Sequence, residues 1–436
     1  MRKRNVLVVA LAAPALLLSA CGGSGSPAAD PTDTPGSDET TEEAPAEPAD
    51  DSTEAPQRDA NVDLVIWTDA DRAETITKFA EEFGAENGVT TAVQVAVETR
   101  KQFREATEVE QGPDVVVGAH DWLGEFVQAG VVAPVPLSSQ VAGEFAENAV
   151  AAANFGGQNY GVPYATENLA LIRNKALAPD APATMEELVA AGKKAVDEGK
   201  AENVLIQPVG QTGNAYYTYP YLSACGGGIF KQDANGGFTD EVIVASPESL
   251  KGAAELAKLG KDGILSTSVG DDNAEGLFTG GKAAFMIGGP WAITNIKAAN
   301  IDYEVTNLPS FEGCEAMKPF LGVQLFYVSS KAKNATLAQE FVTNYIPRKE
   351  VQLALFEALG RPPANLEALS EVSAKDADVK AFAAAGEGAA PMPNIPAMNS
   401  VWGPLGQAGA DVISGQDPTT RFTAAQDEII ANIKNG

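Results

Sequence analysis

Two extended segments follow one another in the first half of the chain with no helix between them. Tyr160–Glu167 contains Pro163 within a strand-like run, and Leu169–Asn174 resumes directly as an apolar strand. Elsewhere short apolar strands alternate with helices that carry apolar residues on one face. Parallel strands of one sheet need a long crossover, usually a helix, so direct succession indicates an interdomain crossover. Leu321–Val328 has the same apolar, strand-like character and indicates a second crossover.

Polar residues collect just past the ends of two predicted strands in the amino-terminal part. The apolar run Val62–Trp67 leads into residues 68–72 (TDADR), and the run Pro113–Val117 leads into residues 118–122 (GAHDW). In open α/β sheets, ligands bind beyond the carboxyl ends of the strands. These two exits are therefore candidate contributors to a binding site.

The stretch Leu277–Trp291 predicts a third corner of this kind. It reads as a helix end, a glycine turn, a short strand at Ala283–Ile287 and a Gly-Gly-Pro entry into a helix. Proline suits the first turn of a helix because its missing N–H would have no partner there. Residues 276–282 come close to a phosphate-binding loop, but Ala283 replaces its Ser or Thr and the helix precedes the strand, so this motif is rejected.

Composition excludes several classes of function. With a net charge of -29, a pI near 4.3 and no basic stripe after residue 4, the 436-residue chain is not suited to nucleic acid. One histidine and three cysteines leave no zinc-type ligand spacing, and neither a metal nor a cofactor is expected. His120 is expected to be a packed or hydrogen-bonded structural residue rather than a member of a catalytic triad.

The amino terminus has the pattern of a processing signal. Residues 1–20 combine Arg2, Lys3 and Arg4 with an apolar core at Val6–Leu18, and the sequence Leu-Ser-Ala-Cys ends at Cys21. This end resembles the lipobox of bacterial lipoproteins, which implies cleavage before Cys21 and lipid on its sulfur. The alternative is an ordinary signal peptide followed by an unrelated cysteine.

The segment 21–60 is predicted to be a disordered acidic tether behind that anchor. Between residues 22 and 60 there are eleven acidic residues, one basic residue and six prolines. Such a composition cannot bury enough apolar surface to offset the entropy of ordering. Downstream, Cys225 and Cys314 either form a disulfide, as is common in exported proteins, or remain two separate buried thiols.

The remaining chemical signal is a repeated pairing of carboxylates with aromatic side chains. The acids Asp71, Asp121 and Glu167 follow predicted strands, and several aromatic residues lie near predicted helix starts: Trp122, Tyr216, Tyr217, Trp291 and Trp402. Sugars present apolar C–H faces that an aromatic ring can cover and hydroxyl groups that charged side chains can bind. Each residue alone is ordinary, but the combination favours a carbohydrate site.

From Leu64 to Ile433 the chain resembles the maltose/maltodextrin-binding proteins of ABC sugar importers. The matching pieces, in chain order, are LVIWTDADR, GPDVVVGAHD, GVPYATENLALIRNK, NAYYTYPYLSACGG, GLFTGGKAAFMIGGPW, KPFLGVQLFYV and MPNIPAMNSVW. The resemblance implies a two-lobed α/β fold of the type II periplasmic-binding-protein class. Each lobe has a sheet with helices on both faces, and hinge segments near 166–169, 321–325 and Ser370 join the lobes. The expected limits are residues 61–166 and 325–370 for the amino-terminal lobe, and 167–324 and 371–436 for the carboxyl-terminal lobe.

The resemblance also implies roles for particular residues. Sugar hydroxyls are expected to be bound by Asp71, Arg72, Asp121, Glu167 and Asn214. Sugar rings are expected to stack on Trp122, Tyr216, Tyr217, Trp291, Trp402 and Met392. The chain departs from the family pattern at Gly118, where the family has a stacking Trp, at Trp122, where it has an Arg, and at Asn214, where it has a Glu. Trp122 is the candidate to supply the aromatic face that Gly118 lacks.

The function that this resemblance implies is binding without catalysis. A lipid-anchored monomer outside the cell membrane would close on a maltodextrin-type α-glucoside and deliver it to an importer in that membrane. One alternative keeps the fold but binds another oligosaccharide, such as trehalose or a cyclodextrin. A glycoside hydrolase is the rival from another class, because two carboxylates flanking a sugar serve that chemistry.

Overall fold

The computed structural model describes residues 55–232 and 237–435. The predicted signal peptide, the lipidation site Cys21 and the tether up to residue 54 lie outside these ranges. Of the helices within them, none combines the length and the apolar character needed to cross a bilayer.

The strands alternate with helices along most of the described chain. The strands are β1 (Leu64–Thr68), β2 (Thr91–Val95), β3 (Val115–Ala119), β4 (Asn154–Phe155), β5 (Gln158–Asn159), β6 (Gly161–Glu167), β7 (Ala170–Asn174), β8 (Asn203–Ile206), β9 (Phe230–Gln232), β10 (Phe238–Val242), β11 (Ala283–Gly288), β12 (Tyr303–Thr306) and β13 (Gly322–Val328). The α-helices are α1 (Ala70–Asn87), α2 (Thr99–Glu108), α3 (Leu123–Ala129), α4 (Ser139–Ala142), α5 (Glu147–Ala152), α6 (Met185–Asp197), α7 (Ala215–Ala224), α8 (Pro247–Lys261), α9 (Ala274–Thr279), α10 (Ile293–Ala298), α11 (Ala335–Glu340), α12 (Lys349–Leu359), α13 (Leu366–Ser373), α14 (Ala377–Ala385), α15 (Trp402–Ile413) and α16 (Pro418–Asn435). Short 3₁₀ helices span His120–Trp122, Pro290–Ala292 and Pro396–Ser400, and a π-helical turn spans Phe341–Tyr345.

The first sheet has the strand order β2-β1-β3-β13-β6. Strands β1, β2 and β3 run parallel, and β13 runs antiparallel to both of its neighbours, β3 and β6. Strands β1 and β13 are buried along their whole length, as expected where helices cover both faces of a sheet. The first lobe is the part of the chain packed around this sheet.

The second sheet has the order β12-β7-β11-β8, with β7 antiparallel to β11 and β12. Its core is separate from that of the first sheet, since the buried clusters around it draw on residues 169–320 and 382–429. The buried cluster around the first sheet draws on residues 64–165 and 323–364 instead. The molecule is therefore a two-lobed α/β protein of the type II class, as its sequence predicts.

The chain passes between the sheets where the sequence predicts crossovers. Strand β6 lies in the first sheet and β7 in the second, although only Asn168 and Leu169 separate them. The return occurs between β12 and β13. Later, α12 packs on α1 and β6, whereas α14 packs on β12, so the chain crosses once more near α13. The exact lobe limits stay a prediction.

The end of the predicted tether contacts the first lobe. Arg58 pairs with Asp114 at 2.7 Å, and the two side chains are only 8% and 0% exposed. Asp114 also accepts a hydrogen bond from the backbone N–H of Val65. Arg58, near the end of the predicted tether, is thus held by a buried carboxylate of the first lobe, and the boundary at residue 60 stays a prediction.

Glycines bring three helices of the second lobe into backbone contact. A Cβ added to Gly252 of α8 would lie 2.1 Å from the carbonyl oxygen of Tyr221 in α7, and one added to Gly409 of α15 would lie 2.4 Å from Oγ1 of Thr218. Only glycine permits such close approach. Helices α7, α8 and α15 therefore pack closely against one another in the second lobe.

Cys225 and Cys314 form a disulfide, with their Cα atoms 4.8 Å apart. The bond links the end of α7 to the loop between β12 and β13. Beside it, the N–H of Glu315 donates to the carbonyl of Ala224. Of the two options that the sequence leaves open, the structure shows the disulfide.

Candidate functional site

A cleft of about 840 Å³ lies between the two lobes. The first lobe contributes Asp71, Arg100, Ala119, Asp121, Trp122, Glu167, Ala358, Leu359 and Arg361, and the second lobe and the segment leading into α15 contribute Tyr216, Glu275, Trp291, Thr294, Asn295, Met392 and Trp402. A second groove of about 620 Å³ near the Pro396–Ser400 helix contains none of the predicted site residues. The cleft is therefore the candidate site.

One wall of the cleft is the corner that follows β3. The strand runs into the 3₁₀ helix His120–Trp122, which places the indole ring of Trp122 directly against Gly118. A Cβ on Gly118 would lie 1.8 Å from Cζ3 of Trp122. The ring thus occupies the space that any side chain at position 118 would need, and Phe126 supports it edge-on at 5.9 Å between ring centroids.

The opposite corner, after β11, has the same construction. The predicted glycine turn, strand and Gly-Gly-Pro entry are present, and the 3₁₀ helix Pro290–Ala292 presents Trp291. A Cβ on Gly289 would lie 2.1 Å from Cζ3 of Trp291. In both lobes, then, a short helix at a strand exit lays a tryptophan ring on a glycine. The centroid of the Tyr216 ring is 6.4 Å from that of Trp291, so two aromatic faces meet on this side.

Asp121 is a buried carboxylate at the floor of the cleft, with only 4% of its surface exposed. Burial raises its pKa, while the positive charge of Arg100, 3.8 Å away, and a hydrogen bond from Trp402 act in the opposite direction. Trp402 is the first residue of α15 and lines the cleft from the other side.

Glu167 lies at the end of β6 and is held by two donors. Its Oε1 accepts from Nε2 of Gln324 at 2.8 Å, and its Oε2 accepts from Nε of Arg361 at 2.7 Å. The carboxylate is therefore fixed in one orientation at the crossover between the sheets.

Two polar atoms of the cleft residues are buried without a hydrogen-bond partner among the described residues. They are Nη2 of Arg100 and the hydroxyl oxygen of Tyr216. Burial also raises the pKa of Tyr216 well above its usual value, so its hydroxyl keeps its proton. An unsatisfied buried polar group costs about 1–3 kcal/mol, which a polar ligand could offset.

Eight predicted site residues line the cleft and three do not. The guanidinium of Arg72 turns back to Asp69, the N-cap of its own helix, and to Oε1 of Gln324 at 2.9 Å. Asn214 caps α7 by accepting from the N–H of Tyr216, and its amide reaches Asp271. Tyr217 is buried in the second lobe's core.

Several residues that line the cleft were not predicted from the sequence, notably Arg100, Arg361 and Glu275. Arg100 lies in the first turn of α2, just after β2, so the rule that drew attention to the other strand exits could have found it. Arg361 and Glu275 offered no such signal, because they follow or lie in helices that reach the cleft only through tertiary packing.

His120 has the structural role predicted for it. Its ring is fully buried; Nδ1 accepts from the N–H of Val323 at 3.1 Å and Nε2 lies 3.1 Å from the carbonyl oxygen of Met392. Nδ1 also lies 3.3 Å from the carbonyl oxygen of Val323, and burial lowers the pKa of His120, which favours the neutral imidazole. Within the described ranges, no group of three potential metal ligands is assembled.

The comparisons with known proteins agree with this architecture. The family model described as bacterial extracellular solute-binding protein matches residues 78–383. Similar curated relatives include the galactooligosaccharide-binding protein of Bacillus subtilis (strain 168), 29% identical over 394 residues, or 88% of this chain and 92% of the relative. The maltotriose-binding protein of Pyrococcus abyssi (strain GE5 / Orsay) is 28% identical over 391 residues, or 85% of this chain and 82% of the relative.

A third relative is the maltooligosaccharide ABC transporter solute-binding lipoprotein of Streptococcus pneumoniae (strain ATCC BAA-255 / R6). It is 28% identical over 383 residues, which cover 84% of this chain and 87% of the relative. With two lobes, a cleft between them and a family match over most of its length, the chain belongs to the bacterial extracellular solute-binding proteins.

Proposed function

We propose that this protein is the lipid-anchored substrate-binding subunit of an ABC importer and that it captures a neutral oligosaccharide of the maltodextrin type. The observation that carries the proposal is the lining of the cleft, where aromatic side chains and carboxylates from both lobes come together. Trp122 comes from the first lobe, whereas Tyr216, Trp291 and Trp402 come from the second. A ligand that contacts both sets stabilises the closed arrangement by its differential affinity.

The chemistry of the lining fits a polyhydroxylated ligand. Indole and phenol rings cover the C–H faces of pyranose units, and ionised carboxylates make strong hydrogen bonds to hydroxyl groups. Asp71, Asp121, Glu167 and Glu275 are the acceptors, and the unpartnered atoms of Arg100 and Tyr216 are donors of the kind a hydroxyl oxygen needs.

The charges favour a neutral ligand over an anionic one. Four carboxylates face two guanidinium groups, and each guanidinium is already paired with acids. Arg100 contacts Glu125 at 2.8 Å as well as Asp121, and Arg361 contacts Glu167. A uronic acid or sugar phosphate would add negative charge to a site where carboxylates already outnumber guanidinium groups.

Location and partners follow from the same proposal. Lipid on Cys21 holds the protein at the outer face of the cell membrane, and the Cys225–Cys314 disulfide fits an extracytoplasmic compartment. One relative is named a lipoprotein of a maltooligosaccharide transporter. The closed monomer then docks on the importer's membrane subunits, and no catalysis takes place.

The chain length and the glycosidic linkage of the oligosaccharide require a more specific proposal. Relatives of nearly equal identity are named for maltotriose and for galactooligosaccharides. We propose α-glucosides, with galactooligosaccharides, trehalose and cyclodextrins as alternatives for the same cleft.

Titration calorimetry against maltose through maltohexaose, galactobiose, trehalose and β-cyclodextrin tests the proposal. We expect binding to at least one maltodextrin, and a saturating ligand at 100 times its Kd should stabilise the protein by about 2.7 kcal/mol in thermal unfolding. Incubation with maltotriose should yield no shortened products. Absence of binding to every sugar would refute the proposal, and product formation would favour the glycoside hydrolase.

A further inference from the structure

Arg361 belongs to the first lobe but lies against the second. It follows α12 and Gly360, whose φ of 68° ends that helix. The next residue, Pro362, accepts a hydrogen bond from the N–H of Thr166 at the end of β6, which ties this segment to the first sheet. On the other side, the Cζ atom of Arg361 is 5.8 Å from the centre of the Trp291 ring.

The guanidinium is held at one nitrogen and free at the other two. Its Nε donates to Glu167 at 2.7 Å, and the ion pair is largely buried, with side-chain exposures of 14% and 11%. No hydrogen bond with the described residues reaches its two terminal nitrogens. Arg361 lines the cleft, so these donors border the space available to a ligand.

The distance to Trp291 limits where a sugar can lie. Carbon atoms in contact are about 3.5–4.0 Å apart, so a pyranose sandwiched between the guanidinium and the indole ring needs about 7–8 Å. The observed 5.8 Å is too short for that arrangement. A sugar stacked on Trp291 would therefore have the guanidinium of Arg361 beside the edge of the sugar ring, which carries the hydroxyl groups.

From this geometry we propose that Arg361 is a specificity-determining residue that binds ring hydroxyls of the sugar unit resting on Trp291. Glu167 orients it by holding Nε, which leaves the terminal nitrogens as a fork for two neighbouring hydroxyl oxygens. Because Arg361 is in the first lobe and Trp291 in the second, the same sugar unit is held from both sides. This inference rests on the proposed function and identifies the residue that distinguishes ligands by the positions of their hydroxyl groups.

The test compares Arg361→Met and Arg361→Lys with a matched arginine far from the cleft. Arg348 also combines an ion pair, with Glu86 at 2.9 Å, and a ring contact, 4.7 Å from the centre of Tyr345. Titration of maltotriose into Arg361→Met should show a Kd raised about 10- to 150-fold, as for a lost hydrogen bond to a charged group. Arg361→Lys, which keeps the charge but not the fork, should be intermediate, and Arg348→Met should bind like the unaltered protein.

Monodeoxy maltosides, which each lack one hydroxyl group, distinguish direct binding by Arg361 from a merely structural role. One deoxy position should weaken binding to the unaltered protein but cause no further loss in Arg361→Met, since the partner of that hydroxyl is already gone. Unchanged affinity in both Arg361 variants, or full additivity at every deoxy position, would overturn this inference while the proposed function stands. If the unaltered protein binds no sugar of the panel, the proposed function fails and the inference with it.

Discussion

Gly118 and Trp122 are best understood as a pair. The resemblance implies a departure from the family pattern at both positions, and in the structure the ring of Trp122 lies where a side chain at position 118 would be. A Cβ at 1.8 Å from the ring cannot be accommodated without moving it. The aromatic face at this corner is therefore supplied from four residues further along the chain.

Replacing Gly118 by Ala should displace the Trp122 ring and weaken sugar binding by about 1–3 kcal/mol through lost apolar burial. The fold should survive, because the ring borders the cleft rather than the centre of the core. Calorimetry with maltotriose measures the loss. Gly276→Ala is the matched control, since an added Cβ there meets nothing within 4 Å. Equal binding by the two variants would show that the Trp122 ring does not contact the ligand.

The raised pKa of Asp121 leads to a prediction of how sugar affinity depends on pH. A carboxylate accepts from sugar hydroxyls more strongly when it is ionised, and burial raises the pKa of Asp121 above the usual value of 3.8. Affinity should therefore be full at neutral pH and should fall as the pH drops through this raised pKa. Calorimetry from about pH 7 to about pH 4 should show that Asp121→Asn binds more weakly at neutral pH but with a flatter pH profile.

Folding stability must be measured separately, because Asp121 and its neighbour His120 change it in opposite directions as the pH falls. The folded state raises the pKa of Asp121, so this group's contribution to stability increases as the pH falls toward 3.8. His120 has a lowered pKa, so its contribution is lost as the pH falls below 6.5. Circular dichroism at each pH separates weaker binding from unfolding. A pH profile for Asp121→Asn identical to that of the unaltered protein would assign the effect to another group.

The residues at strand exits are predictable from the sequence, whereas the residues carried on helices are not. A strand followed at once by polar or aromatic residues is a local pattern, and this pattern alone locates Asp71, Asp121 and Trp291. The guanidinium of Arg72 shares such an exit, yet it turns away because Asp69 and Gln324 offer it closer partners. Arg361 reaches the cleft only because α12 packs on α1 and β6, which are more than 180 residues away in sequence.

The disulfide at the end of α7 should stabilise the second lobe. It closes a loop with a sequence separation of 89 residues, for which the loop-entropy model gives about 4–5 kcal/mol. The double variant Cys225→Ser, Cys314→Ser should therefore unfold at lower denaturant concentration. Because Tyr216 lies at the opposite end of α7, maltotriose affinity at 25 °C should change little. A midpoint of unfolding equal to that of the unaltered protein would mean that the reduced chain is already held by its packing.

At the scale of the whole molecule, the division of the site between lobes predicts closure. Small-angle X-ray scattering should show a smaller radius of gyration with saturating maltotriose than without it, since a sugar held by residues of both lobes favours the closed arrangement. Asp121→Asn at the same sugar concentration is the control. Saturated binding with an unchanged radius would mean that the cleft receives its ligand without hinge motion.

The crossovers also separate in sequence the strands that complete the first sheet. Strand β13 lies between β3 and β6, so the first sheet is split until residues 322–328 arrive from beyond the second sheet. An amino-terminal fragment that ends near residue 170 would have two unpaired strand edges where β13 belongs, which invites association with other chains. Each lobe is thus completed by residues that follow part of the other lobe in sequence. Such non-local pairing slows folding. We therefore expect the first sheet to close only after residues 322–328 have been synthesised.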